Sequence, residues 1–167
     1  PAIAIALNAP MVVIENVPQI FTKKDINGKT VLDIVKEKLS TLGYTIIPTQ
    51  LVASDFGVPQ IRTRAFIFCS RENGVELIPE ITHGSRKSSD LFETTPRLPY
   101  VTVGDALLDL PKIESGMGDD DLVPYKNSPK SDYQKKMREE SKGILNHIAM
   151  KHTSRLIERF KNIGSEQ

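Results

Sequence analysis

Residues 11–18 read Met-Val-Val-Ile-Glu-Asn-Val-Pro and predict the first strand of the chain. The apolar, mostly β-branched residues before Glu15 predict a strand, and Pro18 prevents that strand from continuing. A continuous apolar run is typical of a strand covered on both faces, as in a parallel α/β sheet. Because open α/β sheets bind ligands beyond the carboxyl ends of their strands, Glu15 is a candidate site residue from its position alone.

Helices are predicted on both sides of this strand. The later one has its apolar residues on one face: Val31, Ile34, Val35, Leu39 and Leu42. Thr30 and Asp33 have the spacing of a capping box, and Gly43 is placed to end the helix. Before the strand, residues 2–9 are apolar up to Pro10, which predicts the tail of a buried helix.

Two further strands are predicted, over residues 44–53 and 63–70. The first is rich in β-branched residues, although Pro48 indicates a bulge or an exposed edge. A strand, a helix and a strand joined by a crossover of this length form a right-handed parallel unit with the strand at 11–15. The loop 54–60 is short, so the strand at 63–70 should run antiparallel to the one before it.

This topology places reactive side chains at one edge of the sheet. Glu15 and the loop 54–60 lie at the ends of strands that point the same way, and the third strand starts from that edge. Arg62 and Arg64 are two residues apart and therefore share a face. A carboxylate and two guanidinium groups are thus predicted to converge on one crevice.

Structural roles are the alternative for the same residues. Glu15 would then be an ordinary carboxylate at a strand end, paired with an arginine. Arg62 and Arg64 would be ion partners of Asp55 or Glu72.

After residue 72 the sequence becomes more polar and irregular. Residues 83–99 predict irregular structure, and Asp119, Asp120 and Asp121 predict an exposed acidic loop. Helices are predicted over residues 103–110, 131–142 and 154–163. Residues 126–167 contain ten Lys or Arg against five Asp or Glu. Such a basic surplus is typical of a solvated helix face and also fits a DNA footprint.

Composition limits the possible classes of protein. A chain of 167 residues with a net charge of +1 suits one domain, or a piece of a larger one, and names no partner. Neither an apolar run of about 18 residues nor a signal peptide is visible, so no membrane partner is predicted.

The single cysteine, Cys69, fits a reducing cytoplasm, and its apolar strand predicts a buried, inert thiol. His147 and His152 are spaced unlike a helical metal pair, so no metal site is predicted.

Two motifs resemble those of a known family. Glu15-Asn16-Val17 resembles the ENV motif of DNA (cytosine-5) methyltransferases, and Gln60-Ile61-Arg62-Thr63-Arg64 resembles their QxRxR motif, in the same order, spacing and strand context. The resemblance implies an α/β fold: part of a Rossmann-like S-adenosylmethionine-dependent methyltransferase sheet, with parallel strands plus one antiparallel strand, followed by an irregular α-containing region. Residues 1–72 would be the C-terminal part of the catalytic domain, and residues 73–167 a partial target-recognition region.

The resemblance also implies a reaction. A methyl group would pass from S-adenosyl-L-methionine to C5 of a cytosine flipped out of double-stranded DNA, after a cysteine thiolate attacks C6. By similarity, Glu15 would donate a proton to N3 of the base, and Arg64 would hold its O2. Arg62 would brace a DNA phosphate or the loop of the nucleophile. Supporting roles would fall to Asn16, Val17 and Gln60.

Three parts of the family pattern have no match in this sequence, namely the Pro-Cys-Gln loop of the nucleophile, the Gly-rich cofactor loop and the two closing motifs at the C-terminus. No cofactor-binding residue can therefore be assigned. We expect a fragment that is inactive alone, its missing N-terminal half lying in the same enzyme or in a separate subunit. The alternative is a non-catalytic DNA-binding subunit or module of a split methyltransferase. An unrelated α/β protein with a chance ENV would have Glu15 and Arg64 far apart.

Overall fold

The computed structural model describes residues 2–72, 74–85 and 97–163, and the chain forms two compact units, Pro1–Val101 and Thr102–Gln167. The first unit contains α1 (Ala2–Ala6), β1 (Met11–Asn16), α2 (Val31–Ser40), β2 (Thr45–Val52) and β3 (Thr63–Ser70), with 3-10 turns at Pro18–Phe21 and Ala53–Phe56. The second unit contains α3 (Val103–Leu107), β4 (Gly118–Asp119), α4 (Asp132–Met137), β5 (His147–Ile148) and α5 (Ser154–Lys161). The functional division expected after residue 72 stays a prediction. None of the described helices is both long enough and apolar enough to span a membrane.

The first unit is built on a three-stranded sheet with the order β1-β3-β2. Both outer strands run antiparallel to β3, so β1 and β2 point the same way, as predicted. The two strands of the predicted parallel unit are not paired with each other, because β3 lies between them. The crossover through α2 leaves a gap one strand wide, and the short loop after β2 returns the chain into that gap. The fold is thus mixed α/β, and the named strands of the described residues pair only in antiparallel fashion.

The core of this unit lies on one face of the sheet, beneath α2. Its buried members are Val35, Leu39, Tyr44, Ile67 and Cys69, and Val12 and Ile14 of β1 pack against them. The opposite face of β1 is open within the described residues, where Val13 is 50% exposed. The prediction that β1 is covered on both faces is therefore wrong for this chain. As an edge strand it has one neighbour, and α2 covers one face only.

Local sequence signals account for the helix and strand ends. Thr30 Oγ1 accepts a hydrogen bond from Asp33 N at 3.1 Å, and Asp33 Oδ2 accepts one from Thr30 N at 2.9 Å, which confirms the capping box of α2. Gly43 follows with a φ of 81°, a conformation that glycine adopts without strain. Pro48 lies in an edge strand, as predicted. Helix α1 also forms, but none of its residues is buried, so the buried tail is not observed.

The second unit has short elements. Helices α3 and α4 end earlier than predicted, and beyond α4 the chain turns away at Glu140, whose φ is 64°. The unit is held by a buried ion pair between Asp109 and Arg138, and the guanidinium of Arg138 lies 3.8 Å from the centroid of the Tyr125 ring. Helix α5 forms close to its predicted bounds. The irregular region predicted at 83–99 lies partly outside the described residues, which omit 86–96.

Candidate active site

Glu15 and Arg64 meet at the carboxyl end of β1. In the β1–β3 register Glu15 lies opposite Phe66, and Arg64 is two residues from Phe66 on the same face. A diagonal pair of this kind is within reach of long side chains. The Arg64 Nε atom lies 2.9 Å from Glu15 Oε1. The structure therefore brings the acid of the first strand and a guanidinium of the third strand together, as predicted.

This ion pair remains accessible to a ligand. The Glu15 side chain is 53% exposed and that of Arg64 is 22% exposed. The pair lies on the sheet face opposite the α2 core, next to the stacked rings of Phe66 and Phe68. Arg64 Nη1 donates to Thr63 O at 2.9 Å. Within the described residues Glu15 Oε2 and Arg64 Nη2 make no further hydrogen bond, so both atoms can bind a ligand.

Asn16 and Val17 shape the chain directly after Glu15. Asn16 Oδ1 accepts a hydrogen bond from Val17 N at 2.8 Å, and Pro18 begins the 3-10 turn Pro18–Phe21. The side chain thus takes the backbone donor that the next residue of a strand would use. As a result β1 ends one residue after Glu15, and the carboxylate stands at the rim of the sheet.

The loop between β2 and β3 carries Gln60 and Arg62. Ala53 N donates to Arg62 O at 2.9 Å and closes the base of this loop. Gln60 and Arg62 are exposed, and among the described residues Arg62 has no ion partner. Asp55, the expected structural partner, instead accepts a hydrogen bond from Tyr100 Oη at 3.2 Å. The guanidinium of Arg62 is thus available at the surface.

Sequence reasoning missed His83. Its ring lies against Gly57, so that a Cβ atom added at Gly57 would be 2.6 Å from His83 Cε1. The amides of Thr82 and His83 both donate to Asp55 O, at 3.0 and 2.9 Å. This contact joins segments about 25 residues apart, and no periodic pattern in the sequence indicates it.

A family model matches nearly the whole sequence of this chain. The model for C-5 cytosine-specific DNA methylases matches residues 3–164. The chain belongs to this family. The resemblance inferred from the ENV and QxRxR motifs is thereby confirmed.

Individual members of the methylase family are similar to this chain in sequence. The type II methyltransferase M.DdeI of Desulfomicrobium norvegicum is 36% identical over 151 residues, which are 90% of this chain and 34% of that protein. M1.HphI of Haemophilus parahaemolyticus is 33% identical, over 89% of this chain and 29% of that protein. The chain therefore spans about a third of the length of these relatives.

A solved structure shares the fold. It is a prophage-encoded E. coli protein provisionally described as a DNA modification methyltransferase, with a TM-score of 0.56 and 24% sequence identity. The match covers 95% of this chain and 41% of that chain. At this identity the likeness concerns the fold alone.

The single cysteine of this methylase chain lies inside the sheet. Cys69 is fully buried in β3, which confirms the predicted burial, and burial raises the pKa of its thiol. Among the described residues, Gly28, Gly43 and Gly57 are single glycines with positive φ in turns. The described residues also hold no group of three or more His, Cys, Asp or Glu side chains that would suit a metal ion.

Proposed function

We propose that Glu15 and Arg64 activate a cytosine flipped out of double-stranded DNA, in a cytosine-5 methyltransferase of a restriction-modification system. The observation that carries this proposal is the 2.9 Å contact between the two side chains at the rim of β1. The family match and the names of the relatives supply the substrate class.

The chemistry follows from the charge that develops on the base. When a thiolate forms a bond to C6, an electron pair moves into the ring, and cytosine accepts it readily only if N3 takes up a proton. Glu15 would donate that proton from its carboxyl group. Arg64 would donate hydrogen bonds to O2, as a fixed donor for the negative charge. C5 then has the electron density to bond to the methyl group of the donor. Loss of the C5 proton to a base, of the thiolate from C6 and of the N3 proton back to Glu15 would restore the aromatic ring.

The ion pair is a resting arrangement in this scheme. When the flipped cytosine arrives, Glu15 would separate from the guanidinium and face N3 of the base. Exposed pairs contribute only about 0.2–1 kcal/mol, so opening this one costs little. Glu15 and Arg64 would each leave the other and contact the edge of the pyrimidine instead. The contact therefore holds the two groups near their working positions before the base arrives.

The surrounding motif residues would hold the DNA and the loop. Arg62 would contact a phosphate, since an exposed guanidinium suits this planar anion. Asn16 and Val17 would end β1 one residue after Glu15 through their 2.8 Å hydrogen bond. Gln60 would support the loop that leads into β3.

The remaining parts would come from sequence outside these 167 residues. The only cysteine is buried, so the attacking thiolate would be supplied by the rest of the enzyme or by a separate subunit. The same holds for the binding site of S-adenosyl-L-methionine, the methyl donor of the family. We further propose that β1–β3 belong to a Rossmann-like methyltransferase sheet, that residues 1–72 are its C-terminal part, and that residues 73–167 belong to the target-recognition region.

The test uses the intact protein that contains this chain. It is incubated with methyl-labelled S-adenosyl-L-methionine and duplex DNA, and the DNA is digested to nucleosides. We expect label in 5-methylcytosine, and none with the 167-residue chain alone. Label on N4 of cytosine or on N6 of adenine would contradict the proposal. DNA binding by the intact protein without methyl transfer would favour the non-catalytic module instead.

A further inference from the structure

The loop that carries the QxRxR motif is fixed on its inner side by its own backbone. We call residues 53–62 the arginine turn. Ala53 N donates to Arg62 O at 2.9 Å, and Val58 N donates to Ala53 O at 3.3 Å. Arg64 lies beyond the turn, in the strand ladder opposite Leu51. Gln60 and Arg62 lie outside that ladder, so their placement depends on the turn.

The outer side of the arginine turn is held by a distant segment of the same unit. Thr82 N and His83 N share one acceptor, the carbonyl oxygen of Asp55. The segment is in turn anchored to Leu98, which donates to Thr82 O and accepts from Gly84 N, both at 2.9 Å. Residues 82–84 therefore form a brace against the first half of the turn.

The side chain of His83 completes this brace. Its Nδ1 atom lies 2.8 Å from Thr82 Oγ1, which fixes the plane of the ring. The ring packs on Gly57, where an added Cβ would lie 2.6 Å from Cε1, 2.9 Å from Nε2 and 3.1 Å from Nδ1. Gly57 also has a φ of +82°, so both the backbone conformation and the approach of the ring require glycine. Gly43 has nearly the same φ, +81°, with nothing within 4 Å of its added Cβ.

We propose that His83 is a positioning residue that fixes the arginine turn and thereby directs Arg62 toward a DNA phosphate. This inference rests on the proposed function for the identity of the ligand. The contact of the imidazole with Gly57 is independent of that function. Removing the ring would leave the turn with its backbone contacts but without support over its glycine, so Arg62 would sample more orientations.

The first experiment measures the turn itself, by amide hydrogen exchange of the intact protein that contains this chain. We expect His83→Ala to raise the exchange rates of the Ala53 and Val58 amides about tenfold, since local opening becomes easier. His83→Phe keeps a ring over Gly57 and should restore most of the protection. Gly43→Ala is the control for a glycine with positive φ, and it should leave these two amides unchanged.

The second experiment measures DNA binding of the intact protein against salt concentration. A lost phosphate contact lowers the slope of log K against log salt by about 1. We expect this change for Arg62→Ala and a part of it for His83→Ala, with no further change in the double variant. His83→Phe should return the slope toward that of the wild type. A purely structural role for His83 would lower the amount of folded protein and leave the slope unchanged.

The outcomes separate the two proposals. Wild-type exchange at Ala53 and Val58 in His83→Ala would overturn the role of His83, as would slope changes that add in the double variant. An unchanged slope in Arg62→Ala would overturn the phosphate contact proposed for Arg62. In that case the exchange rates alone decide whether His83 fixes the turn.

Discussion

Substituting Glu15 by glutamine separates a catalytic acid from a structural ion partner. The change keeps the size of the side chain and removes its charge and its acidic proton. With side chains 53% and 22% exposed, the pair with Arg64 contributes about 0.2–1 kcal/mol to folding. A general acid contributes about 10²–10⁴ to the rate, which corresponds to roughly 3–5 kcal/mol. The increase in the activation free energy of methyl transfer should therefore exceed the loss in the free energy of unfolding several-fold.

The assay compares three quantities in the intact enzyme. Single-turnover methyl transfer reports the chemical step, DNA titration reports binding, and urea unfolding reports stability. Glu37→Gln is the matched control, because Glu37 forms an exposed ion pair with Lys29 on α2, away from the rim of β1. We expect the control to retain the wild-type rate and Glu15→Gln to retain DNA binding.

Two results would refute this reasoning. One is an equal fall of DNA binding and turnover in Glu15→Gln, because the acid is proposed to act on the reacting base. The other is a stability loss above about 2 kcal/mol, which is more than an exposed pair supplies, with a rate that follows the folded fraction.

Three further predictions concern the scaffold. Thr30→Ala should destabilise the chain by about 1 kcal/mol in urea unfolding. Hydrogen bonds from the backbone amide and then from the hydroxyl of Thr30 lower the pKa of Asp33, so the stability from that carboxylate is present above its ordinary pKa and is lost as the pH falls through the folded-state pKa. The substitution removes the hydroxyl contact alone, so the difference in stability between the two proteins should shrink as the pH falls through that range. Arg138→Ala should cost about 3 kcal/mol by the same measurement, since it leaves the carboxylate of Asp109, only 3% exposed, without its partner. A thiol reagent should label Cys69 only in unfolded protein, because the side chain is buried and its raised pKa keeps it protonated.

Each of these has a contrary outcome. If the stability loss in Thr30→Ala does not change with pH, the contribution of the cap does not depend on the charge of Asp33. A change in stability below about 1 kcal/mol for Arg138→Ala would mean that water solvates Asp109. Labelling of Cys69 at the same rate with and without denaturant would show that the thiol is reached in the native state.

Much of the first unit follows from local rules. The bounds 63–70 of β3 were predicted, and the short loop fixed its antiparallel direction. The capping box at Thr30 likewise fixed the start of α2. The contact between Glu15 and Arg64 followed from strand direction and from the alternation of side chains along a strand.

Other features depend on contacts that local rules do not describe. A crossover helix sets the direction of β2 but not which strand lies beside it, so the place of β3 between β1 and β2 was missed. The apolar run of β1 indicates compatibility with burial, but not which segment covers each face. His83 acts through backbone amides and a glycine far away in sequence, so neither spacing nor periodicity indicates its position.

Because β3 pairs directly with β1, the register of these two strands sets the spacing between Glu15 and Arg64. Strand pairing can shift only by whole residues, about 3.3 Å each, and a shift of one residue turns a side chain to the opposite face. The spacing of Glu15 and Arg64 along the strand backbones therefore cannot change gradually as the sheet loosens. Partial damage to the sheet should produce a mixture of molecules with the pair intact and molecules without it, rather than a population of uniformly weakened ones.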